Sequence, residues 1–336
     1  MTQPVTIGTL GEDATIKAIQ RVLAPQRLPE GWVGIGDDCA VTDLGVGRAV
    51  TTTDLLIEDV HFRRGTTSAW DLGWKAMAVN VSDIASMGAL PRWATVSVSA
   101  PGDLPIDWLA DFYAGALALC QRYDLAIVGG DTVGSPGPVM LAVTVVGAAE
   151  HPVLRSGAQP GDAVIVTGPI GSSAAGFWVL EHPAEAQGLD PAHVEAMLAA
   201  HRLPTPQVHE GRAIASLGRA AMMDNSDGLA RSVLWLAGSN DLAIELDASV
   251  LPMTPATRAV AARAGVDPLQ WALYGGEDYN LVVLVPEEAV AELVQAVPGA
   301  VRVGTCRSGA PGAALRLGDR TIPLEAGRTY QHFATE

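Results

Sequence analysis

The sequence predicts an α/β (α+β) protein of two domains divided near residue 150. Three observations carry that expectation. Segments rich in Val, Ile and Thr alternate with segments whose apolar residues recur at helical spacing, the pattern of mixed sheets covered by helices. A chain of 336 residues exceeds one typical hydrophobic core and suits two. Between Glu150 and Asp162 runs a turn-rich stretch with Pro152, Gly157, Pro160 and Gly161, the composition of a boundary. The domains are therefore expected at 1–150 and 151–336.

In chain order, Ile16, Ile19, Val22 and Leu23 share one helical face and predict an opening helix that stops before Pro25. A loop then carries Gly34 to Asp38. Residues 48–53, rich in Val and Thr, predict a strand that delivers Asp54 at its end. Residues 70–87 read as an unusually apolar helix, with Trp74, Met77, Val81 and Ile84 on neighbouring turns and Asn80 and Asp83 one turn apart. A strand over 92–99, a helix over 106–123, a strand over 125–128 that runs into Gly129-Gly130-Asp131, and a strand over 139–146 complete the first half.

The second half opens with a strand over 163–167, a Gly-rich turn and a helix from Ser172. Helices over 193–201 and 207–217 follow, then a short strand over 221–223 entering Asp224-Asn225-Ser226-Asp227-Gly228, and a helix to Ala237. A helix over 255–264, a strand over 279–285, a helix over 287–297 and strands near Val301 and Leu315 end the pattern.

Composition excludes several classes. With 49% apolar and 17% charged residues there is ample material to bury and no sign of general disorder. A formal charge of −16 opposes a nucleic-acid partner, since phosphate backbones are bound mainly by Lys and Arg. A phosphate substrate stays open if metal ions supply positive charge locally. Three scattered cysteines without a CxxC pair fit a reducing cytosol. No basic-then-apolar leader and no apolar run of about 20 residues is seen, so a cytoplasmic protein without a membrane partner is expected.

The chemistry concentrates in short acidic motifs beside Gly or hydroxyl residues: Gly36-Asp37-Asp38, Thr52-Thr53-Asp54, Asn80-Val81-Ser82-Asp83, Gly129-Gly130-Asp131, Asp224 to Gly228 and Gly275-Gly276-Glu277-Asp278. Carboxylates gathered from distant segments repel by roughly 4 kcal/mol per pair at about 4 Å and an effective dielectric near 20. A fold that gathers them needs a cation, and oxygen ligands suit Mg²⁺, which takes a few carboxylates plus waters and phosphates. Each motif alone has a plainer reading. Gly-Asp pairs make turns, the Thr run can be an exposed strand edge, Asp83 can pair with a cation such as Lys75, and Ser226 or Asp227 can cap the following helix. Glycines can simply end a strand. No P-loop, complete GxGxxG or GxSxG motif is present, so a nucleotide must be held in another way and nucleophilic hydrolysis is not expected. His61, in Asp59-Val60-His61-Phe62, is the histidine that stands out.

In this order and spacing, Gly34-Ile35-Gly36-Asp37-Asp38-Cys39-Ala40, Thr53-Asp54 with Val60-His61-Phe62, Lys75 to Asp83, Met87-Gly88-Ala89, Gly129-Gly130-Asp131-Thr132, Arg155-Ser156-Gly157-Ala158, Ser226-Asp227-Gly228-Leu229, Gly275 to Tyr279 and Tyr330-Gln331-His332-Phe333 mark a family. The chain resembles the thiamine-monophosphate kinases of the aminoimidazole ribonucleotide synthetase-related superfamily, from about Gly34 to Tyr330. The resemblance implies Mg²⁺ ligands at Asp38, Thr52, Thr53, Asp54, Asp83, Asp131, Asp224 and Asp227. It also implies ATP contacts at Gly130, Asp131, Arg155, Ser226 and, on the helix near it, Tyr113, with thiamine monophosphate contacts at His61, Glu277 and Tyr330. Its fold has an N-terminal mixed-sheet domain that meets a partner subunit in a homodimer and a C-terminal α/β domain. The implied reaction is direct phosphoryl transfer from ATP to thiamine monophosphate, assisted by Asp54, Asp131 and Asp227, with no general base. Asn225 and Asp59 depart from the family pattern without removing a ligand. A selenophosphate synthetase or a hydrogenase maturation protein of the same superfamily would carry a reactive Cys near one end or the other, which this sequence lacks. A silent nucleotide or cation sensor would not need the full ligand set.

Overall fold

The structure, a computed structural model, describes residue 6 and residues 12–30 and 47–329. Asp38 with its Gly-Asp-Asp motif and Tyr330 with the residues after it lie outside the described residues. The chain forms two compact units, Met1–Ile84 with Leu90–Glu150, and Ala85–Ala89 with His151–Glu336.

The first unit contains α1 (Glu12–Leu23), β1 (Arg48–Ile57), α2 (Ala69–Ser86), β2 (Leu90–Ala100), α3 (Ile106–Arg122), β3 (Ala126–Gly134) and β4 (Met140–Ala149). Its four strands lie in the order β1-β4-β2-β3. β4 runs antiparallel to β1 and β2, and β2 runs parallel to β3. Alternation along each strand gives the sheet two unlike faces. Leu56, Ala94, Val96, Val98, Leu141, Val143 and Val145 are buried, whereas Thr95, Ser97, Thr144, Thr53 and Leu55 on the other face are partly or fully exposed. α2 lies on the apolar face and buries Met77, Val81 and Ile84 there.

Two strands extend further than the sequence predicts. β1 does not end at Thr53: its ladder with β4 continues through Asp54↔Val143 to Ile57↔Met140, because Leu55, Leu56 and Ile57 keep the alternation going. Asp54 is therefore a mid-strand residue. β3 likewise runs straight through Gly129-Gly130-Asp131, which pair with Thr95, Val96 and Ser97 past a bulge at Ala94/Thr95. Here the glycines do not end the strand. They permit close approach, since a Cβ on Gly130 would lie 1.9 Å from the Val96 carbonyl oxygen.

In the second unit come β5 (Ala163–Val166), α4 (Ser172–Glu181), α5 (Pro191–Arg202), α6 (Val208–Ser216), β6 (Ala221–Asp224), α7 (Leu229–Asn240) and β7 (Leu242–Asp247). They are followed by α8 (Pro255–Ala264), α9 (Pro268–Tyr274), β8 (Leu281–Val285), α10 (Val290–Ala296), β9 (Val301–Ser308), β10 (Gly312–Leu317) and β11 (Arg320–Pro323). The seven strands order as β11-β10-β7-β9-β5-β8-β6. Helices cover both faces of the sheet, so β5 is apolar throughout. Val164 and Val166 join a core with Leu229, Val233 and Leu236 of α7, and Ala163 and Ile165 join one with Ile214 of α6 and Leu293 of α10. A third cluster packs Ala175, Val179, Met197 and Val260 between α4, α5 and α8.

Three helices here begin with a capping residue and proline. Asp190, Thr254 and Asp267 accept from Ala192, Thr257 and Leu269 N–H at the starts of α5, α8 and α9. The strand expected from Tyr279 begins only at Leu281, because Tyr279 has φ 54° and turns the chain before the ladder starts. β7, α9 and β11 are additions to the elements predicted. No helix among the described residues is long and apolar enough to cross a membrane.

Candidate active site

On the apolar face of the first sheet, Thr52 and Asp54 point the same way, two residues apart on β1. Thr52 Oγ1 donates to Asp83 Oδ2 at 2.6 Å, so the α2 carboxylate meets the β1 hydroxyl in a charge-assisted bond. Thr53 faces the other way; its Oγ1 donates to the Val143 carbonyl at 3.1 Å and accepts from Thr144 Oγ1 at 3.0 Å. The three consecutive oxygens of Thr52-Thr53-Asp54 thus divide between two faces, because the regular ladder holds the alternation that a strand end would relax.

Asp131 lies apart from this group. The row Asp54↔Val143↔Val96↔Gly130 crosses the whole sheet, so Asp54 and the Gly130-Asp131 pair occupy opposite edge strands, roughly 14 Å apart along the sheet. Asp131 also pairs with Ser97 on the polar face, opposite to the face of Asp54. It is exposed, and its Oδ1 accepts from the Thr132 N–H at 2.9 Å. One ion cannot be shared by Asp54 and Asp131 within this sheet.

His61 closes the turn after β1. Its N–H donates to the Ile57 carbonyl at 2.8 Å and its Nδ1 accepts from the Ile57 N–H at 3.0 Å. Nδ1 is thus the acceptor, and the proton of the neutral ring is assigned to Nε2. Asp59, in the same turn, has φ 65°, a left-handed conformation that Asp tolerates better than most residues. Tyr113 does not face solvent: it is 3% exposed in the core with Leu109, Phe112 and Ala116 of α3, and burial pushes its phenol pKa upward. The ATP contact expected near it has no surface position at this residue.

In the second unit the end of β6 and the segment before β8 are tied together. Asn225 N–H donates to the Asn280 carbonyl at 2.7 Å, Tyr279 N–H to the Asn225 carbonyl at 3.1 Å, and Glu277 N–H to the Ser226 carbonyl at 2.6 Å. Asp224 is buried at the strand end and accepts from Ser226 Oγ at 3.1 Å. Neither Ser226 nor Asp227 caps α7. Gly228 occupies that position with φ 97° and no side-chain bond, leaving Asp227 to face Arg231 Nε at 3.3 Å. Asn225 is fully buried against α7, where its Oδ1 accepts from Ser232 Oγ at 3.4 Å and its Nδ2 has no hydrogen-bond partner among the described residues.

The chain turns at Gly276 (φ 71°), whose Cβ would lie 2.7 Å from the Ser226 carbonyl, and at Glu277 (φ 58°). Arg155 lies over the Trp235 ring of α7 at 5.9 Å, and Asn240 holds its turn by donating to the Arg155 carbonyl and accepting from Gly157 and Ala158 N–H, each at 2.8 Å. Sequence reasoning missed two neighbours of Glu277, His201 and Ser173. His201 Nδ1 is 3.3 Å from Glu277 Oε2 and 3.0 Å from Ser173 Oγ, and the Asp278 carboxylate accepts from Gly171 and Ser173 N–H at 2.7 and 3.1 Å. Burial pushes the Asp278 carboxyl up to about 7 against those N–H bonds. No local sequence signal links His201 and Ser173 to the Glu277-Asp278 motif; they meet it only through packing of α4, α5 and the turn before β8.

The chain is similar to known proteins over most of its length. Residues 36–149 match the N-terminal domain of AIR synthase related proteins and residues 159–311 match their C-terminal domain. Thiamine-monophosphate kinase of Bacillus subtilis (strain 168) is 34% identical over 308 residues, covering 90% of this chain and 93% of its own. The chain belongs to the thiamine-monophosphate kinase family. Among solved thiamine-monophosphate kinases, that of Stenotrophomonas maltophilia K279a is 32% identical with a TM-score of 0.80, over 89% of this chain and 95% of its own. AaThiL complexed with AMPPCP and TMP is 31% identical with a TM-score of 0.74, over 96% and 99%. The family carries both domains, and this chain spans nearly the full length of these relatives.

Proposed function

We propose that the chain transfers the γ-phosphoryl group of ATP to thiamine monophosphate in line, yielding thiamine diphosphate and ADP. The observation that carries this reading is identity above 30% across nearly the whole length of a thiamine-monophosphate kinase bound to AMPPCP and TMP. A phosphate oxygen of the acceptor attacks the γ-phosphorus, and the bond between that phosphorus and the β–γ bridging oxygen breaks. The acceptor phosphate loses its second proton near pH 6, so it is already the nucleophile at neutral pH and no side chain must act as base.

The donor set fits Mg²⁺: Asp54, Asp83 and Thr52 in one unit, Asp224, Asp227 and Ser226 in the other, all hard oxygens. Among the described residues no three His, Cys, Asp or Glu side chains form a ready cage. Mg²⁺ does not require one, since it takes one or two carboxylates with waters and substrate phosphates. When bound, the ions neutralise the repulsion between two polyanions and align them. Asp38, Thr53 and Asp131 complete the proposed ligand set; Gly130, Ser226 and Arg155 hold the nucleotide; His61, Glu277 and Tyr330 hold the thiamine substrate. A cytoplasmic homodimer formed through the N-terminal domain completes the reading.

Phosphorus NMR of the purified protein with Mg-ATP and thiamine monophosphate tests it, with thiamine and no-acceptor controls. Thiamine diphosphate accumulating in step with ADP is the expected result. Asp54→Asn and Asp131→Asn each abolish turnover while the protein stays folded; near-normal turnover in either removes that residue from the proposed ligand set, in which the two serve different ions.

A further inference from the structure

We propose that His201 is a positioning residue that orients the Glu277 carboxylate toward the thiamine substrate, with Ser173 setting the angle of the His201 ring. This rests on the kinase reading above and assigns it a residue that no motif contains.

The backbone around Glu277 is already immobilised. Glu277 and Tyr279 both sit in the left-handed region, which costs a non-glycine residue roughly 1–2 kcal/mol. Such strain persists where the surroundings over-determine it. Here the Ser226 and Asn225 carbonyls take the Glu277 and Tyr279 N–H groups on one side. On the other, the Asp278 carboxylate takes Gly171 and Ser173 N–H at the start of α4. The part of Glu277 that can still move is its side chain, which is 37% exposed.

One oxygen of that side chain meets His201. Oε2 lies 3.3 Å from His201 Nδ1, and the imidazole is only 11% exposed, so its ring has little freedom. Ser173 Oγ, buried at the first turn of α4, lies 3.0 Å from the same nitrogen, and the Phe177 ring packs 5.5 Å from the imidazole centroid. Nδ1 thus stands between two oxygens, hydrogen-bonded to the serine hydroxyl and at ion-pair distance from the carboxylate, and the phenyl ring restricts the rotation of the imidazole. The Glu277 carboxylate therefore has one oxygen fixed beside the imidazole on a side chain that stays 37% exposed. A carboxylate so held meets a cationic heterocycle or its amino group without first losing side-chain entropy.

The test is steady-state kinetics of His201→Ala, His201→Asn and Ser173→Ala, each checked by thermal melting. His201→Ala raises KM for thiamine monophosphate about tenfold, the scale of a hydrogen bond to a charged group, and leaves KM for ATP unchanged. His201→Asn, whose amide stands where Nδ1 stood, recovers most of the loss, and Ser173→Ala shows a smaller rise of the same kind. In a Glu277→Gln background His201→Ala adds nothing further. An unchanged KM for thiamine monophosphate, a parallel rise in both KM values, or additive effects overturns the assignment while leaving the kinase reading intact. A wild-type protein that forms no thiamine diphosphate overturns both. Should His201→Ala fail to fold, the Asn and Ser173 variants carry the same comparison.

Discussion

Replacing Gly115 by Ala sets two effects of known size against each other. α2 and α3 touch backbone to backbone: a Cβ on Gly115 would lie 1.9 Å from the Trp70 carbonyl oxygen, and one on Gly73 would lie 1.8 Å from that of Phe112. The Gly115 methyl group is 1.1 Å short of the 3.0 Å that real Cβ contacts respect, as 3.0 − 1.9 shows. Helix propensity alone favours Ala over Gly by about 1 kcal/mol. Overpacking a core costs about 1–3 kcal/mol when side chains can yield. Here the obstacle is a helix carbonyl, which cannot rotate aside, so the helices must separate. The net expectation is a loss of about 2 kcal/mol, or a fall in Tm of about 5 °C for a unit of this size. α2 also carries Asp83, so its displacement opens the 2.6 Å contact to Thr52 and raises KM for Mg-ATP. Thermal and urea denaturation followed by circular dichroism measure the first effect, and initial rates measure the second. Gly65→Ala, where the methyl meets nothing within 4 Å, serves as the control. A Gly115→Ala protein as stable as the parent, the result that propensity alone predicts, refutes the close-packing argument.

Thr52→Val removes the hydroxyl that donates to Asp83 but keeps the β-branched shape, so turnover falls at limiting Mg²⁺ and partly recovers at high Mg²⁺ while the melting curve barely moves. Arg219→Ala strips the guanidinium from the buried Asp162, which it meets through two nitrogens. Leaving that carboxylate uncompensated costs about 3 kcal/mol at pH 7, read by denaturant titration, and a variant as stable as the parent would show that the pair contributes nothing. Asp278 has its folded pKa raised by burial to about 7 from an ordinary 3.8, so the folded state holds a proton that the unfolded chain releases. Its contribution is therefore fully present below about pH 4 and is lost as pH rises to about 7, by at most roughly 4 kcal/mol. Stability measured from pH 4 to 8 falls less steeply in Asp278→Asn than in the parent; parallel curves would show that Asp278 is ionised throughout.

Much of the fold was legible because its signals are local. The apolar spacing of Met77, Val81 and Ile84 predicts α2, and the Val-rich runs predict β4 and β5, whose side chains then find the cores that pattern implies. Helix starts at Asp190, Thr254 and Asp267 are written in the residues beside them. Strand ends were less legible. Gly129 and Gly130 read as a stop, yet pairing with Thr95 and Val96 carries β3 onward, since strand length depends on a neighbour distant in sequence. α9 and β11 are short enough that tertiary packing, rather than their own propensity, decides them.

At the candidate site the division is similar. The residue types, oxygen donors set beside glycines and hydroxyls, together with their order along the chain, were determined by sequence alone and are enough to point to the family, on which the proposed Mg²⁺-nucleotide chemistry rests. Which donors stand together was not, because that depends on register and packing. The ladder puts Thr52 with Asp54 and Asp83 and sends Thr53 to the opposite face. It sets Asp131 on the far edge of the sheet. Core packing withdraws Tyr113 from the surface, and the meeting of α4, α5 and the turn at Gly276 brings His201 and Ser173 to Glu277. Chemistry is carried by residue identity, which one chain states outright; adjacency arises from contacts between distant segments, and only the folded structure decides those.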